Sequence, residues 1–424
     1  MSDGLEDRPR RRILLSAFAC SPEWGSEPGV GWRWAIELGK RHDVTVVTHA
    51  YFREQIEPLV ARGGTPGVTF EWFRVRGVGG HPHVQLNSRS YYWLWQLALR
   101  GHVRRLLRTR PHDLIHHLTW GSYRLPSFLG GLGVPLAVGP VGGGEGAPLR
   151  LFRSWPWRER AFYLLRQASI VVSRWDPFVL WSMARADCIL TKTGQTRAAL
   201  PWFARAKATE ASEIGVSAVS HGRRAVRDPD RPLRLLYAGR LLGGKGITYV
   251  LEMVKLLTAR GVKVRLSVAG AGRLAAWSSR LVAEFGIAGQ VDFLGKVERE
   301  QMNALYDAAD LLVFPSWHDS SGNVVTEALA RGLPVLCLDI GGPRYAVDPD
   351  CALIVETAGL DESGLAHSMA AGVEALHRDR LRLERMSAAA LVRARGMTWA
   401  RQVELAYTII DQRTAWSRTA PGST

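Results

Sequence analysis

The chain has 424 residues, 46% of them hydrophobic and 22% charged, which excludes a disordered protein and suits two domains of roughly 200 residues each. Lys and Arg number 55 against 39 Asp and Glu, a formal net charge of +16 that attracts phosphate, whether on nucleotides, nucleic acids or anionic lipids. None of the 4 cysteines, Cys20, Cys188, Cys337 and Cys351, forms a C-x-x-C pair, so zinc and redox motifs are excluded and reduced thiols in a cytoplasm are expected.

Arg10, Arg11 and Arg12 precede the apolar run 13–20. That run is too short for a signal peptide, lacks a cleavage site and reads as a first strand. No apolar run approaches the roughly 18 residues of a membrane span. Short apolar runs alternate with helical-period stretches throughout, the pattern of parallel sheets flanked by helices. In the first half the clearest strands are 13–17, 44–48, 114–116 and 136–138. Gly25-Ser26-Glu27-Pro28-Gly29-Val30-Gly31-Trp32 follows the first, where Gly29 and Gly31 let the backbone pass close to a crevice as a helix begins. His116 and His117 end the third strand. A histidine there orients an acceptor or simply serves the core. Gly139-Pro140-Val141-Gly142-Gly143-Gly144-Glu145 follows the fourth, and Glu145 either touches an acceptor or caps the next helix.

The stretch 151–185 carries Trp155, Trp157, Trp175 and Trp181 among Arg153, Arg158, Arg160, Arg166 and Arg174, and 91–110 is similar. Aromatics beside cations suit a membrane interface, and packing within the first domain is the alternative. The polar segment 217–232 reads as a linker. It separates a first domain, 1–216, from a second, 233–397. A last helix, 398–416, closes the second or crosses back to the first, and 417–424 reads as a frayed tail.

The second half has strands at 233–238, 264–269, 291–294, 311–314 and 335–338, with helices at 247–260, 299–308 and 324–331. Gly239-Arg240-Leu241-Leu242-Gly243-Gly244-Lys245-Gly246 follows the first of these strands. Its glycines admit a ligand to the backbone, and Arg240 and Lys245 suit a diphosphate. It is no Walker A loop, because Gly246 stands where Ser or Thr is needed. Gly270-Ala271-Gly272 and Phe293-Leu294-Gly295 end the next two strands. Then Pro315-Ser316-Trp317-His318-Asp319-Ser320-Ser321-Gly322 leads into a helix, which Ser320 or Ser321 can cap. Asp319 in the loop and Glu327 early in the helix can accept bonds from sugar and ribose hydroxyls.

The ordered set G-R-L-x-x-x-K-G, G-x-G, F-x-G and P-S-x-x-[DE]-x7-E-A-x-A-x-G-x-P-V resembles the retaining glycosyltransferases of family 4. The G-S-E-P-G-x-G-W and G-P-x-G-G-G-E turns are similar to those of one of its subgroups. The resemblance covers essentially the whole chain. It implies an α/β protein with two Rossmann-like domains facing across a cleft, the GT-B fold, and a nucleotide sugar as co-substrate. By resemblance Arg240 and Lys245 bind the donor diphosphate, with Gly239, Gly270 and Gly272 in the adjoining turns. Glu327 binds the ribose, and Asp319 with the amides of Ser321, Gly322, Asn323 and Val324 holds the sugar. The loop with Gly29 and Gly31 lies near donor phosphates and acceptor, and Glu145 on the acceptor side. His116 or His117 takes the place of the family's functional histidine, although the family's H-x-H is here an adjacent pair followed by Leu118. Asp319 departs from the family's Glu by one methylene.

No metal or other cofactor is expected, since no D-x-D reads as a cation site and the basic groups replace the cation. The acceptor is a glycan or a polyprenyl-linked sugar, and the protein is expected in the cytoplasm, peripheral on the inner face of the membrane. No nucleic-acid motif accompanies the charge, which leaves a basic nucleic-acid-binding protein or a sugar-nucleotide epimerase of similar architecture as the alternatives.

Overall fold

The structure is a computed structural model that describes residues 10–75, 77–78, 85–86, 88–220 and 231–414. Residues 221–230 of the expected linker, 415–416 of the last helix and the tail 417–424 lie outside the described residues. The chain forms two compact units. Each is a parallel sheet with helices, as runs of β-branched and aliphatic residues separated by helical crossovers require.

In the first unit, β1 (Arg12–Ala17), β2 (Asp43–His49), β3 (Val68–Phe73), β4 (Leu114–Thr119), β5 (Leu136–Val141), β6 (Cys188–Thr191) and β7 (Ala208–Glu210) pair in the order β3-β2-β1-β4-β5-β6-β7. In the second, β8 (Leu233–Ala238), β9 (Val264–Ala269), β10 (Val291–Gly295), β11 (Leu311–Val313), β12 (Val335–Leu338) and β13 (Ala352–Val355) pair in the order β10-β9-β8-β11-β12-β13. The order reverses between β1 and β4 in one sheet and between β8 and β11 in the other. Such a switch point opens a crevice outside the carboxyl ends of the strands, where ligands of open α/β sheets bind.

The expected contiguous division is corrected. The first unit comprises Met1–Gly144, Ile170–Ile214 and Trp399–Thr424; the second comprises Glu145–Ser169 and Gly215–Thr398. Residues 145–169 pack with the second unit because their large side chains have their burial there. Leu151, Phe152, Trp155 and Tyr163 join the core around Tyr249 and Trp317. Trp155 stacks on Trp317 with ring centroids 5.9 Å apart and 12° between planes, a geometry that adds to the area it buries. The helix Trp399–Thr414 returns to the first unit, where Val403, Ala406, Tyr407 and Ile410 enter the core. Among the described residues no helix is long and apolar enough to cross a membrane.

Candidate active site

The turns after β8, β9 and β10 are laced together by backbone hydrogen bonds. Gly239 N–H donates to Ala269 O at 2.9 Å, Gly270 N–H to Gly295 O at 2.7 Å, and Leu241 N–H to Ala271 O at 3.0 Å. A Cβ on Gly270 would stand 1.9 Å from Gly239 O, and Gly270 has φ +155°, which L side chains rarely adopt. A Cβ on Gly272 would stand 2.4 Å from Leu241 O. These glycines therefore bring neighbouring turns into contact.

The loop 239–246 is also joined to the loop after β11. Gly244 O accepts from the backbone N–H groups of Trp317 and His318, each at 3.2 Å. The Ser316 hydroxyl lies 3.2 Å from that carbonyl oxygen and 3.0 Å from Asp319 Oδ2, so its proton can go to either. This joint brings Lys245 Nζ into a direct ion pair with Asp319 Oδ1. The two side chains are 10% and 22% exposed. Phe314 presents its ring 5.8 Å from the ammonium, within cation–π range. Arg240 is exposed beside them in the chain.

The helix Asn323–Ala330 opens at Gly322, whose left-handed φ of 73° and ψ of 49° make it the N-cap. The expected cap by Ser320 or Ser321 is corrected, because a glycine bend supplies the entry and no side chain caps the helix. The first amides, of Asn323 and Val324, precede the helix's own bonds, the first of which runs from Val325 N–H to Gly322 O at 2.9 Å. Glu327 is the fifth of the eight helix residues, further along than expected, and is exposed. Its Oε2 accepts from Tyr306 OH at 2.9 Å. Burial, reinforced by the Glu327 charge, holds the Tyr306 phenol far above its ordinary pKa, so it remains a donor.

The residues missed in the sequence come from 145–169. Tyr163 OH accepts from Gly244 N–H at 2.9 Å and lies 3.1 Å from His318 Nδ1. Burial pushes its phenol up to about 12. Glu159 is held by Arg273 through bonds of 2.7 and 3.3 Å, and its Oε2 lies 3.5 Å from Gly243 N. A Cβ on Gly243 would come within 2.2 Å of the Trp155 ring, and one on Gly244 within 2.7 Å of Tyr163 OH. The expectation that these two glycines admit a ligand is corrected. They admit Trp155 and Tyr163, and the Gly244 amide is already bonded. The loop is left with its cationic side chains for an anion.

The first unit treats its expected residues differently. Gly29 and Gly31 lie inside the helix Ser26–Gly39, which begins before them. Cβ atoms there would stand 2.7 Å from Trp24 O and 2.2 Å from Ala19 O, so both glycines let the helix settle on the loop after β1. His116 is fully buried, with Nε2 2.7 Å from Gly139 O and Nδ1 3.0 Å from Tyr407 OH. The hydrogen bonds assign the proton to Nε2 and make Nδ1 the acceptor. Burial lowers its pKa to about 4. His117 is also buried, with Nε2 3.2 Å from Tyr92 OH, and burial with the neighbouring His116 lowers it to about 3. Both histidines thus bind structural partners inside the core, which corrects their expected place against an acceptor. Glu145 packs within the second unit, buried against Arg166 with 3.9 Å between charged atoms.

The switch point of the first sheet holds a charge cluster instead. Both carboxylate oxygens of Glu27 lie 3.2 Å from Gly121 N. Buried Lys192 stands 2.6 Å from Glu213 and 3.9 Å from Glu27, whose side chain is 30% exposed. Burial raises the Glu27 carboxyl to about 7, Lys192 opposing and Glu213 adding to the rise. No single stretch of sequence carries this cluster.

Residues 222–392 match the family model described as glycosyl transferases group 1. An uncharacterized glycosyltransferase of Methanocaldococcus jannaschii is 36% identical over 121 residues, 28% of this chain and 30% of that protein. The D-inositol 3-phosphate glycosyltransferase of Nocardia farcinica is 40% identical over 125 residues, 29% of this chain and 26% of that protein. The matches therefore span less than a third of either relative. Among solved structures, the sucrose-phosphate synthase of Thermosynechococcus elongatus is similar with a TM-score of 0.60 and 17% identity, over 96% of this chain and 100% of that one. HepE of Anabaena in complex with UDP and glucose is similar with a TM-score of 0.55 and 13% identity, over 95% and 100%. The structural neighbours are GT-B glycosyltransferases, and the shared fold is a pair of parallel-sheet α/β Rossmann-like domains.

Proposed function

We propose that the protein is a retaining glycosyltransferase that moves a hexose-type sugar from a UDP- or GDP-linked donor to a glycan or polyprenyl-linked acceptor in polysaccharide or glycoconjugate assembly. The observation that carries this reading is the ion pair of Lys245 with Asp319, which joins the turn after β8 to the loop after β11 at the switch point, with Arg240 in the same turn and Glu327 on the helix that follows. In this reading Arg240 and Lys245 stabilise the charge that develops on the departing diphosphate. Asp319 and the amides of residues 321–324 hold the sugar, and Glu327, fixed by Tyr306, accepts from the ribose. The bond between the anomeric carbon and the diphosphate oxygen breaks, and the acceptor oxygen bonds on the same face. The acceptor's proton passes to the departing phosphate. The two cations supply the charge that a divalent metal supplies elsewhere, so the proposed reaction is metal-independent. A thermal-shift panel of UDP- and GDP-sugars with EDTA, on the wild type and Lys245→Ala, tests it. A shift for one nucleotide class that survives EDTA and is lost in the variant is the expected result. No shift for any donor overturns the reading.

The partner side of the proposal is an anionic lipid surface at the cytoplasmic face. The helix Arg89–Thr109 has no acidic residue. It exposes Leu94, Leu97, Arg104, Arg105 and Arg108. Its Trp93 meets Phe178, itself exposed, at 4.6 Å. Apolar groups bordered by arginines suit the headgroup boundary. Trp155 is removed from this surface because it is buried in the second unit. Sedimentation with phosphatidylglycerol vesicles, weakened by Leu97→Glu and absent with phosphatidylcholine, is the expected outcome. Equal binding to both vesicles counts against it.

A further inference from the structure

Lys245 and Asp319 are held from opposite sides. The loop around Lys245 is fixed by its N–H to Leu242 O at 3.0 Å and by Gly246 N–H to Gly243 O at 2.8 Å. Asp319 is anchored by the Ser316 hydroxyl and by its own carbonyl, which accepts from Gly342 N–H at 2.6 Å. A Cβ on Gly342 would stand 2.3 Å from the Ser320 carbonyl carbon, so the backbone there is hemmed in. The backbone on both sides of the pair is thus fixed.

An anion that binds Lys245 therefore arrives beside a carboxylate already bonded to the same ammonium. Both side chains are largely buried, so the repulsion is weakly screened. A nucleoside diphosphate without a sugar brings only acceptor oxygens to Asp319. A nucleoside diphosphate with its sugar brings hydroxyl donors as well, and a carboxylate that accepts from hydroxyls has an alternative to Lys245.

We propose that Asp319, by competing for Lys245, makes the site prefer a nucleoside diphosphate that carries its sugar over the bare nucleoside diphosphate. This inference rests on the transferase reading above and adds a role to it. Asp319 lowers the affinity for the product of transfer, and release of the diphosphate is assisted by the residue that held the sugar.

The test is calorimetric titration of the wild type and Asp319→Asn with UDP, UDP-glucose, GDP and GDP-mannose. In the base series that the wild type binds, Asp319→Asn should bind the bare diphosphate about tenfold more tightly than the wild type, with the sugar nucleotide unchanged or weaker. Asp319→Glu keeps the charge and should retain the wild-type preference. If Asp319→Asn does not fold, Asp319→Ser is titrated in its place. Unchanged or weaker binding of the bare diphosphate by the neutral variants overturns the inference, as does an equal gain in Asp319→Glu. Failure of the wild type to bind any of the four overturns the transferase reading itself, and the inference falls with it.

Discussion

Each sheet reverses its strand order once, and the two reversals are furnished in opposite ways. At the reversal between β8 and β11, glycine turns bring a lysine and an aspartate together from two loops close to the strand ends. At the reversal between β1 and β4, Glu27, Gly121, Lys192 and Glu213 come from four separate connections. The first arrangement holds opposite charges one to one. The second sets two carboxylates around one ammonium, and the carboxyl of Glu27 rises as a result of burial. The loop of the second unit presents cationic side chains, whereas the cluster of the first holds one more carboxylate than ammonium groups. One architecture thus carries two charge arrangements, decided by a few side chains at equivalent places.

The largest effect that would sharpen this contrast is structural. Trp155→Ala should cost about 3–5 kcal/mol, as loss of a buried tryptophan does. Hydrogen exchange should quicken in peptides of the second unit and not in those of the first; uniform quickening would break the division. Lys245→Ala should weaken donor binding about 100-fold, because it removes the proposed phosphate contact and leaves Asp319 without its partner. Calorimetry with the preferred nucleotide sugar measures this, and an unchanged affinity would remove the loop from the site.

Acid should separate the units next. His116 is neutral in the fold with its pKa lowered to about 4, below the ordinary 6.5, so the unfolded chain binds the proton first. Its penalty is absent above pH 6.5 and grows as pH falls towards 4. Between pH 7 and pH 5 it amounts to about 2 kcal/mol. His117, lowered to about 3, acts in the same direction. Exchange at pH 5 should therefore rise more in the first unit than in the second; equal rises would count against buried neutral imidazoles. The smallest effect belongs to Tyr163→Phe, which deletes the hydroxyl at Gly244 and His318. A loss of about 1 kcal/mol is expected. It should appear as a higher KM for the donor with kcat nearly kept, and a fall in kcat alone would contradict a positioning role.

The same contrast explains what the sequence allowed to be read. The strands of the second sheet, the turns at Gly239 and Gly270, and the pair Asp319 and Glu327 are local features, and local spacing reports them. Lys192 and Glu213 carry no such signal, because only the crossovers of the first sheet bring them to Glu27. Residues 145–169 give no local sign of their unit, since a tryptophan among arginines looks alike whether it faces lipid or fills a core. The paired Gly243 and Gly244 were the available hint, as adjacent glycines in a loop make room for bulky neighbours as well as for ligands. His116 and His117 occupied the expected strand end, but periodicity does not reveal that Tyr407 closes over His116 from the far end of the chain.

The helix Trp399–Thr414 has a consequence for how the molecule is made. Arg11, buried at the start of β1, pairs with Asp411 at 2.5 Å, and Tyr407 reaches His116. A ribosome delivers the whole second unit by residue 398, while the first unit still lacks a wall of its core. Strand β1 is thus sealed only after the second unit has been synthesised. Through most of translation β1 and β4 stand with part of their apolar cover missing, an exposure that invites chaperones or aggregation. The closing helix is the step that ends it.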